Sequence, residues 1–311
     1  MMSNISFRRG TAFKKRFRKE RELWVWTILA MIWLVIFFLI PLYGISYAFF
    51  NYVPGRKLSM EYFVGLENFR AFFKNPNWIH ILRNTLIISG LNLSIGFVAP
   101  IILAFLFDEL ANINFKRVTQ TISYLPYFVS WVVVASIMTT FLSSEGIMNE
   151  MMMKLGFTEK PIGFLTEGKY FYGIITFANI WKGIGWQTIL YMSAIAGIDQ
   201  ELYQAGAVDG LGRFGMVWRI KLPSILPTIL LIFILSTGSV LNAGFEQQLL
   251  LGQESTRDYW EVIDTYVYRY GIQLGRYSFS IAVGLMKSVI GAVLVVLTNH
   301  ISRKLTDMSI L

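Results

Sequence analysis

Two lysines stand where a lysine is costly. Lys182 and Lys287 each fall well inside a long apolar run, and a lysine at the centre of a membrane helix costs about 2.5–3.5 kcal/mol on insertion scales. Such a residue faces a bundle interior or a wet cavity. Either lysine therefore lines a pathway, closes a structural pair with a carboxylate such as Glu246 or Glu109, or snorkels. A second group combines aromatic and polar side chains: Trp131, Asn179, Trp181, Trp186, Tyr191, Asn242, Glu246 and Gln247. Sugars present apolar C–H faces and many hydroxyls, so aromatic platforms beside amides and a carboxylate suit a sugar path. The same Trp and Tyr residues also suit an interfacial aromatic belt, and the amides also suit interhelical hydrogen bonding. The chain has no cysteine and two histidines, His80 and His300. That excludes a disulfide framework and a thiolate metal site and leaves no basis for a histidine triad. No metal or cofactor of the chain's own is expected.

A third stretch carries a spaced pattern. It reads Tyr203-Gln204-Ala205-Gly206-Ala207-Val208-Asp209-Gly210, then nine residues, then Ile220-Lys221-Leu222-Pro223. Inside it, Gly210-Leu211-Gly212-Arg213-Phe214-Gly215 matches G-x-G-x-x-G, but no strand precedes it and no βαβ unit surrounds it, so it is a decoy for a dinucleotide site. No G-x-x-x-x-G-K-[ST] occurs, and the nearest fragment, Gly168-Lys169-Tyr170, fails the pattern. The chain is expected to lack a nucleotide cradle and to be no ATPase itself.

The elements that position these residues are membrane helices. The 311 residues are 55% hydrophobic and 15% charged, and apolar runs of about 20 residues match the hydrocarbon thickness. Six spans are expected, near residues 23–50, 85–107, 118–142, 171–197, 227–245 and 279–301. Lipid offers backbone groups no partners, so helices are the expected form. The net charge of +9 is unevenly placed. Arg8, Arg9, Lys14, Lys15, Arg16, Arg18, Lys19 and Arg21 precede the first run, which reads as a cytoplasmic anchor on anionic lipid rather than a nucleic-acid arm. The run over 23–40 is longer than a signal-peptide core, and no small-x-small site follows, so a cleaved signal is not expected.

Charge then orients the chain with both termini in the cytoplasm. The internal segments are 1–22, 108–117, 198–226 and 303–311, and the N-terminal cluster outweighs a basic first external loop. The connection 198–226 is the longest cytoplasmic one. Its mixed helical spacing, broken by Gly210 and Gly212 and stopped by Pro223, predicts two short helices near the membrane surface. Its exposed apolar residues need a partner. Externally, 157–169 reads as a folded loop, which with 51–82 and 246–277 forms a docking face or an ordinary cap.

The 203–223 pattern resembles the EAA loop of ABC importer permeases. Gln204 replaces the usual Glu and Gly206 the usual Ala, while Asp209, Gly210, Ile220, Leu222 and Pro223 stand at the family spacing. The likeness extends over Ser123-Tyr124-Leu125-Pro126-Tyr127-Phe128-Val129-Ser130-Trp131, Asn179-Ile180-Trp181-Lys182-Gly183-Ile184-Gly185-Trp186, Gly244-Phe245-Glu246-Gln247 and Asp264-Thr265-Tyr266-Val267-Tyr268-Arg269. It runs from about residue 24 to the C-terminus and is similar to the binding-protein-dependent oligosaccharide permeases, in particular the aldouronate and polysaccharide branch of Gram-positive bacteria. The resemblance implies an all-α membrane protein of the type I ABC importer permease fold, with a transmembrane domain over 80–302 and a coupling helix in 198–226. It implies a bacterial cell-membrane subunit importing an oligosaccharide. The implied partners are a second homologous permease, two ATPase subunits carrying ATP and Mg, and an extracellular solute-binding lipoprotein, with no nucleic acid. Ala205 and Gly206 are then the small residues that seat the helix in a partner groove, Gly210 the turn, and Ile220 and Pro223 the joint to the fifth span. Two rival classes are an ion-coupled secondary transporter, which calls for inverted repeats and mid-span acids, and a membrane enzyme, which calls for an Asp/Glu or His constellation. Neither signature stands out.

Overall fold

Prolines set the irregularities of the long helices. A proline has no N–H to return to the carbonyl four residues earlier. In the computed structural model, which describes the backbone of residues 20–306, three helices widen into a π turn at that carbonyl. Val35–Leu39 precedes Pro41, Asn92–Gly96 precedes Pro100, and Val217–Lys221 precedes Pro223. A π turn takes up the mismatch without ending the helix. The basic cluster at residues 8–19 and the end of the tail, 307–311, lie outside the described residues.

The described residues are helical throughout, apart from loops and one isolated antiparallel bridge between Phe50 and Phe63. Five stretches are long and apolar enough to cross a membrane: Glu22–Phe49, Trp78–Asp108, Trp131–Lys154, Arg213–Gly238 and Tyr277–Lys304. The principal helices within and between them are α1 (Arg21–Leu34), α2 (Glu67–Lys74), α3 (Trp78–Leu91), α4 (Phe97–Asp108), α5 (Ile113–Phe128), α6 (Trp131–Leu142), α7 (Ile147–Lys154), α8 (Phe171–Ala196), α9 (Gln200–Val208), α10 (Arg213–Met216), α11 (Leu222–Gly238), α12 (Glu246–Leu251), α13 (Arg257–Trp260), α14 (Ile263–Tyr268) and α15 (Tyr277–Thr306). The expected fourth span corresponds to α8. Its 26 residues have the length to cross, but Asn179, Lys182 and Gln187 make it less apolar than the other five. It is also the central helix, packed between α4, α5 and α11. Gly185 marks the closest approach: a Cβ there would run into the Ser123 carbonyl of α5.

The expected span 118–142 is not one helix. α5 stops at Phe128, Val129 and Ser130 are extended, and Ser130 caps α6 by accepting from the Val133 N–H at 3.4 Å. The apolar run concealed this break, although Pro126 in the last turn of α5 and an N-cap serine mark it. The expected span 227–245 is also displaced. The helix is continuous from Arg213 and ends at Gly238, so the second short helix expected in 198–226 runs into this span. Asn242 therefore lies in the following turn and Glu246 and Gln247 open α12.

The segment after α12 folds back on α3. Buried Asn84 donates to the Asp258 carbonyl (3.0 Å) and the Glu261 carbonyl (2.9 Å), and accepts from the Tyr172 hydroxyl at 2.6 Å. Glu261 is 3% exposed and holds Arg269 by two bonds of 2.9 and 2.8 Å. Burial pushes its carboxyl above the usual range, and Arg269 pulls the other way. The loop 157–169 is tied as expected of a folded loop: buried Asn149 donates to the Ile162 carbonyl at 3.0 Å and accepts from its N–H at 2.7 Å. Replacing Asn84 with Ala removes the side-chain donor to the buried Glu261 carbonyl and the acceptor of the Tyr172 hydroxyl, while the Asp258 carbonyl keeps Arg83 at 2.8 Å. The expected cost is about 2–3 kcal/mol, read as a lowered thermal midpoint of the purified protein in detergent; an unchanged midpoint would contradict this role.

Candidate functional site

Two clefts meet at one asparagine. The first, about 450 Å³, lies between α8, α11 and the π turn after α3, and its lining includes Asn92, Asn179, Gln187, Tyr191, Asn242 and Gln247. It has no charged residue in its lining. The second, about 430 Å³, opens at the α5–α6 break and is lined by Tyr127, Val129, Ser130, Trp131, Asn179, Lys182, Gly183 and Glu246. Asn179 borders both. Its amide accepts from Gln247 Nε2 at 3.3 Å and donates to Asn92 Oδ1 at 3.4 Å. Three helical elements are thus joined by a chain of long amide bonds that sugar hydroxyls match in donor and acceptor character.

Lys182 is fixed by the helix break. Its Nζ donates to the Tyr127 carbonyl at 2.6 Å and the Pro126 carbonyl at 3.4 Å. These carbonyls close the last turn of α5, where a cation complements the helix dipole. The ammonium also lies 5.3 Å from the Tyr127 ring centre and 5.6 Å from that of Trp131, within cation–π range. Trp186 stacks on Tyr127 with centroids 4.7 Å apart and planes 6° apart.

Most of the expected path residues are brought together. Asn179, Tyr191, Asn242 and Gln247 line the first cleft, and Trp131, Asn179, Lys182 and Glu246 the second. Trp181 lines neither, and Trp186 touches the site only through Tyr127. Lys287 is not a lining residue and pairs with neither carboxylate considered for it. It pairs with Asp264, pinning α14 to α15. Asn92, Gln187 and Tyr127 were not anticipated. A lone amide inside an apolar helix was the available signal for the first two. Among the described residues, no group of three or more His, Cys, Asp or Glu side chains is placed to hold a metal ion.

The 203–223 segment is a helical hairpin. Asp199 caps α9 by accepting from the Glu201 N–H at 3.0 Å. At the other end Gly210 has φ +73°. The Leu211 N–H bonds to the Gly206 carbonyl (2.9 Å) and the Gly210 N–H to the Ala207 carbonyl (3.1 Å). This is a Schellman closure, and it calls for glycine at that position. Gly206 does not face outward to a partner. It is buried, and a Cβ there would lie 2.5 Å from Ile220 Cδ1 and 3.0 Å from Met216 Sδ. Its small size lets α9 close on the following helix. Gln204, Ala205, Asp209 and Gly210 are exposed, as are Val208 (88%), Phe214 (84%) and Trp218 (67%). Pro223 stands in the first turn of α11, directly after the π turn that carries Ile220 and Lys221.

Lys221 locks this hairpin to the bundle. Its side chain is 6% exposed, and Nζ lies 2.6 Å from Asp108 Oδ2 and 2.5 Å from Glu109 Oε1 at the end of α4. The Tyr203 ring of α9 lies 5.9 Å from the same ammonium. Burial raises the Tyr203 phenol, Asp108 adds to this, and Lys221 opposes it.

A bundle of long apolar helices with an amide-lined cleft and a locked, apolar-tipped hairpin is the arrangement of a membrane transport subunit. Comparison with known proteins agrees. The family model described as the binding-protein-dependent transport system inner membrane component matches residues 96–307, and the chain belongs to this family. It is a multi-pass membrane protein of the type I ABC importer permease fold. It is similar to Protein LplB of Bacillus subtilis strain 168, 40% identical over 297 residues, covering 95% of this chain and 93% of that one. The polygalacturonan/rhamnogalacturonan transport system permease protein YteP of the same bacterium is 36% identical over 307 residues, covering 96% and 95%. Among solved structures, a bacterial alginate ABC transporter in complex with an alginate pentasaccharide-bound periplasmic protein contains a chain with TM-score 0.86 and 36% identity, covering 95% of this chain and 99% of that one.

Lys221→Met removes the ammonium from Asp108 and Glu109, which are nearly a third exposed, and leaves Asp108 only Lys116 at 3.9 Å. The expected loss is about 1–3 kcal/mol, seen as a lower thermal midpoint, and Lys221→Met with Asp108→Asn and Glu109→Gln together is expected to recover part of it. Full stability of the single variant would show that the ion pair does not hold the hairpin.

Proposed function

We propose that this chain is the permease subunit of an ATP-driven importer that takes an oligosaccharide from an external binding protein into the cytoplasm. The observation that carries this reading is the likeness to the alginate transporter chain over 95% of the sequence, in a protein whose cleft offers amides, hydroxyls and aromatic rings. The relatives' names point to complex, carboxylate-bearing glycans as the substrate class.

In this reading six helices cross the bacterial cell membrane, α8 among them, with both termini in the cytoplasm. The chain supplies half of a translocation path, and a second homologous permease supplies the other half. Two ATPase subunits bring ATP and Mg, and one of them receives the hairpin. The exposed Gln204, Ala205, Asp209 and Gly210, with Val208 and Phe214, meet the ATPase groove. The folded-back segments near Asn84 and Asn149 receive the binding protein. ATPase closure displaces α9; the Ile220–Pro223 joint passes the motion to α11, and Lys221 passes it to α4. Both helices wall the first cleft or continue into its wall, so the motion alters the Asn92–Asn179–Gln247 chain. A ligand or motor shifts such an equilibrium only through contacts that differ between the two states, and the hairpin supplies one set of them.

Gly210→Trp tests the motor end. A side chain at φ +73° costs about 1–2 kcal/mol, and the indole obstructs the groove, so ATPase co-purification and ATP-driven oligosaccharide uptake are both expected to fall; normal assembly and uptake would remove the hairpin from this role. Glu246→Ala tests the path end. A changed rate or substrate range is expected in proteoliposome uptake, and unchanged values would remove Glu246 from the pathway.

A further inference from the structure

Among the described residues, the buried Lys221 and the half-buried Lys287 and Arg269 are each closed by a carboxylate of the chain itself. Lys221 has Asp108 and Glu109, Lys287 has Asp264, and Arg269 has Glu261. Lys182 differs. Among the described residues its bonds go to two neutral carbonyls and its ring contacts to Tyr127 and Trp131. None of these partners cancels the charge. An ammonium has three hydrogens, so one remains for the 430 Å³ cleft that Lys182 lines. Glu246 lines the same cleft without closing an ion pair with Lys182, and the adjoining cleft has no charged residue in its lining.

We propose that Lys182 is the specificity-determining residue of the path, binding the carboxylate of a uronic-acid unit and so favouring acidic oligosaccharides over neutral ones. This deepens the importer reading and rests on it. The helix break supplies the geometry. Because α5 stops at Phe128, the Tyr127 carbonyl, with the Pro126 carbonyl that also accepts the Val129 N–H, holds the ammonium at the cleft wall instead of letting it snorkel away. Trp131 lines the cleft beside it with a flat apolar ring suited to a sugar, while Tyr127 is stacked on Trp186 and holds the ammonium in place. Glu246 across the cleft keeps the site from binding an anion too tightly to release, since it repels the same carboxylate.

The test uses the complete reconstituted complex with its binding protein and ATPases. Uptake of an oligogalacturonate is compared with uptake of the same oligomer fully methyl-esterified, each corrected for its measured affinity for the binding protein. The acid-to-ester uptake ratio is the readout. Lys182→Gln is expected to lower that ratio about tenfold or more, the worth of a charge-assisted hydrogen bond. Lys182→Arg is expected to keep most of it. Glu246→Gln is expected to raise it, which tests the charge argument even where Lys182→Gln does not assemble. An unchanged ratio in Lys182→Gln, or in Glu246→Gln when the lysine variant fails to assemble, overturns the proposal while leaving the importer reading intact. Wild-type complex that takes up neither oligomer under ATP overturns both.

Discussion

One buried ion pair decides how the ends of this bundle are connected. Lys221 sits in a π turn, and its ammonium reaches two carboxylates at the end of α4. A buried ion pair of this kind contributes little net stability compared with an apolar contact, yet breaking it on one side is expensive. Its value is therefore positional. It fixes where the α9 hairpin stands relative to α4, and Tyr203 packs over it from α9. The hairpin and the bundle end are one piece for this reason, and the buried Gly206 contact with Ile220 tightens the same joint.

Prolines place the other functional features. The π turn before Pro223 carries Ile220 and Lys221, and the π turn before Pro100 carries Asn92, which meets Asn179 across the cleft. Pro126 stands in the last turn of α5, whose end leaves carbonyls for Lys182. In the two π turns a missing N–H creates the irregularity, and at Pro126 the nearby helix end leaves the carbonyls; polar groups that need partners use both. The membrane permits such irregular backbone where it is buried in protein or lines a cavity, and these turns do so.

Much of this was legible in the sequence, for a physical reason. The hairpin is local, so Gly210, Ile220 and Pro223 announced it by spacing alone, and the left-handed Gly210 is what its helix closure demands. Polar residues inside apolar runs are costly, so Asn179, Lys182 and Gln247 stood out, and they do converge. Other features depend on distant partners or on helix geometry. Glu109 is 112 positions from Lys221, and nothing in either neighbourhood names the other. The sequence leaves Lys287 open between a path residue and a structural pair, and the partner that makes it a pair, Asp264, stands 23 positions away. The break at Val129 was hidden because apolar length counts residues without asking whether the backbone is continuous. A small residue at Gly206 suits either a partner groove or a close contact within the chain, and only the fold selects the second, against Ile220.

The central claim is that hairpin and bundle end move as one body while the cleft changes. Because the chain has no cysteine, paired cysteine labels report on chosen sites alone. Spin labels at Leu106 and Val208, both exposed, measure the hairpin against the end of α4, and a second pair at Leu190 and Ser239 measures across the first cleft. In the reconstituted complex, the account predicts that the first distance stays constant between nucleotide-free and ATP-bound states while the second shifts. A hairpin that moves relative to Leu106 while the cleft distance stays fixed would contradict it.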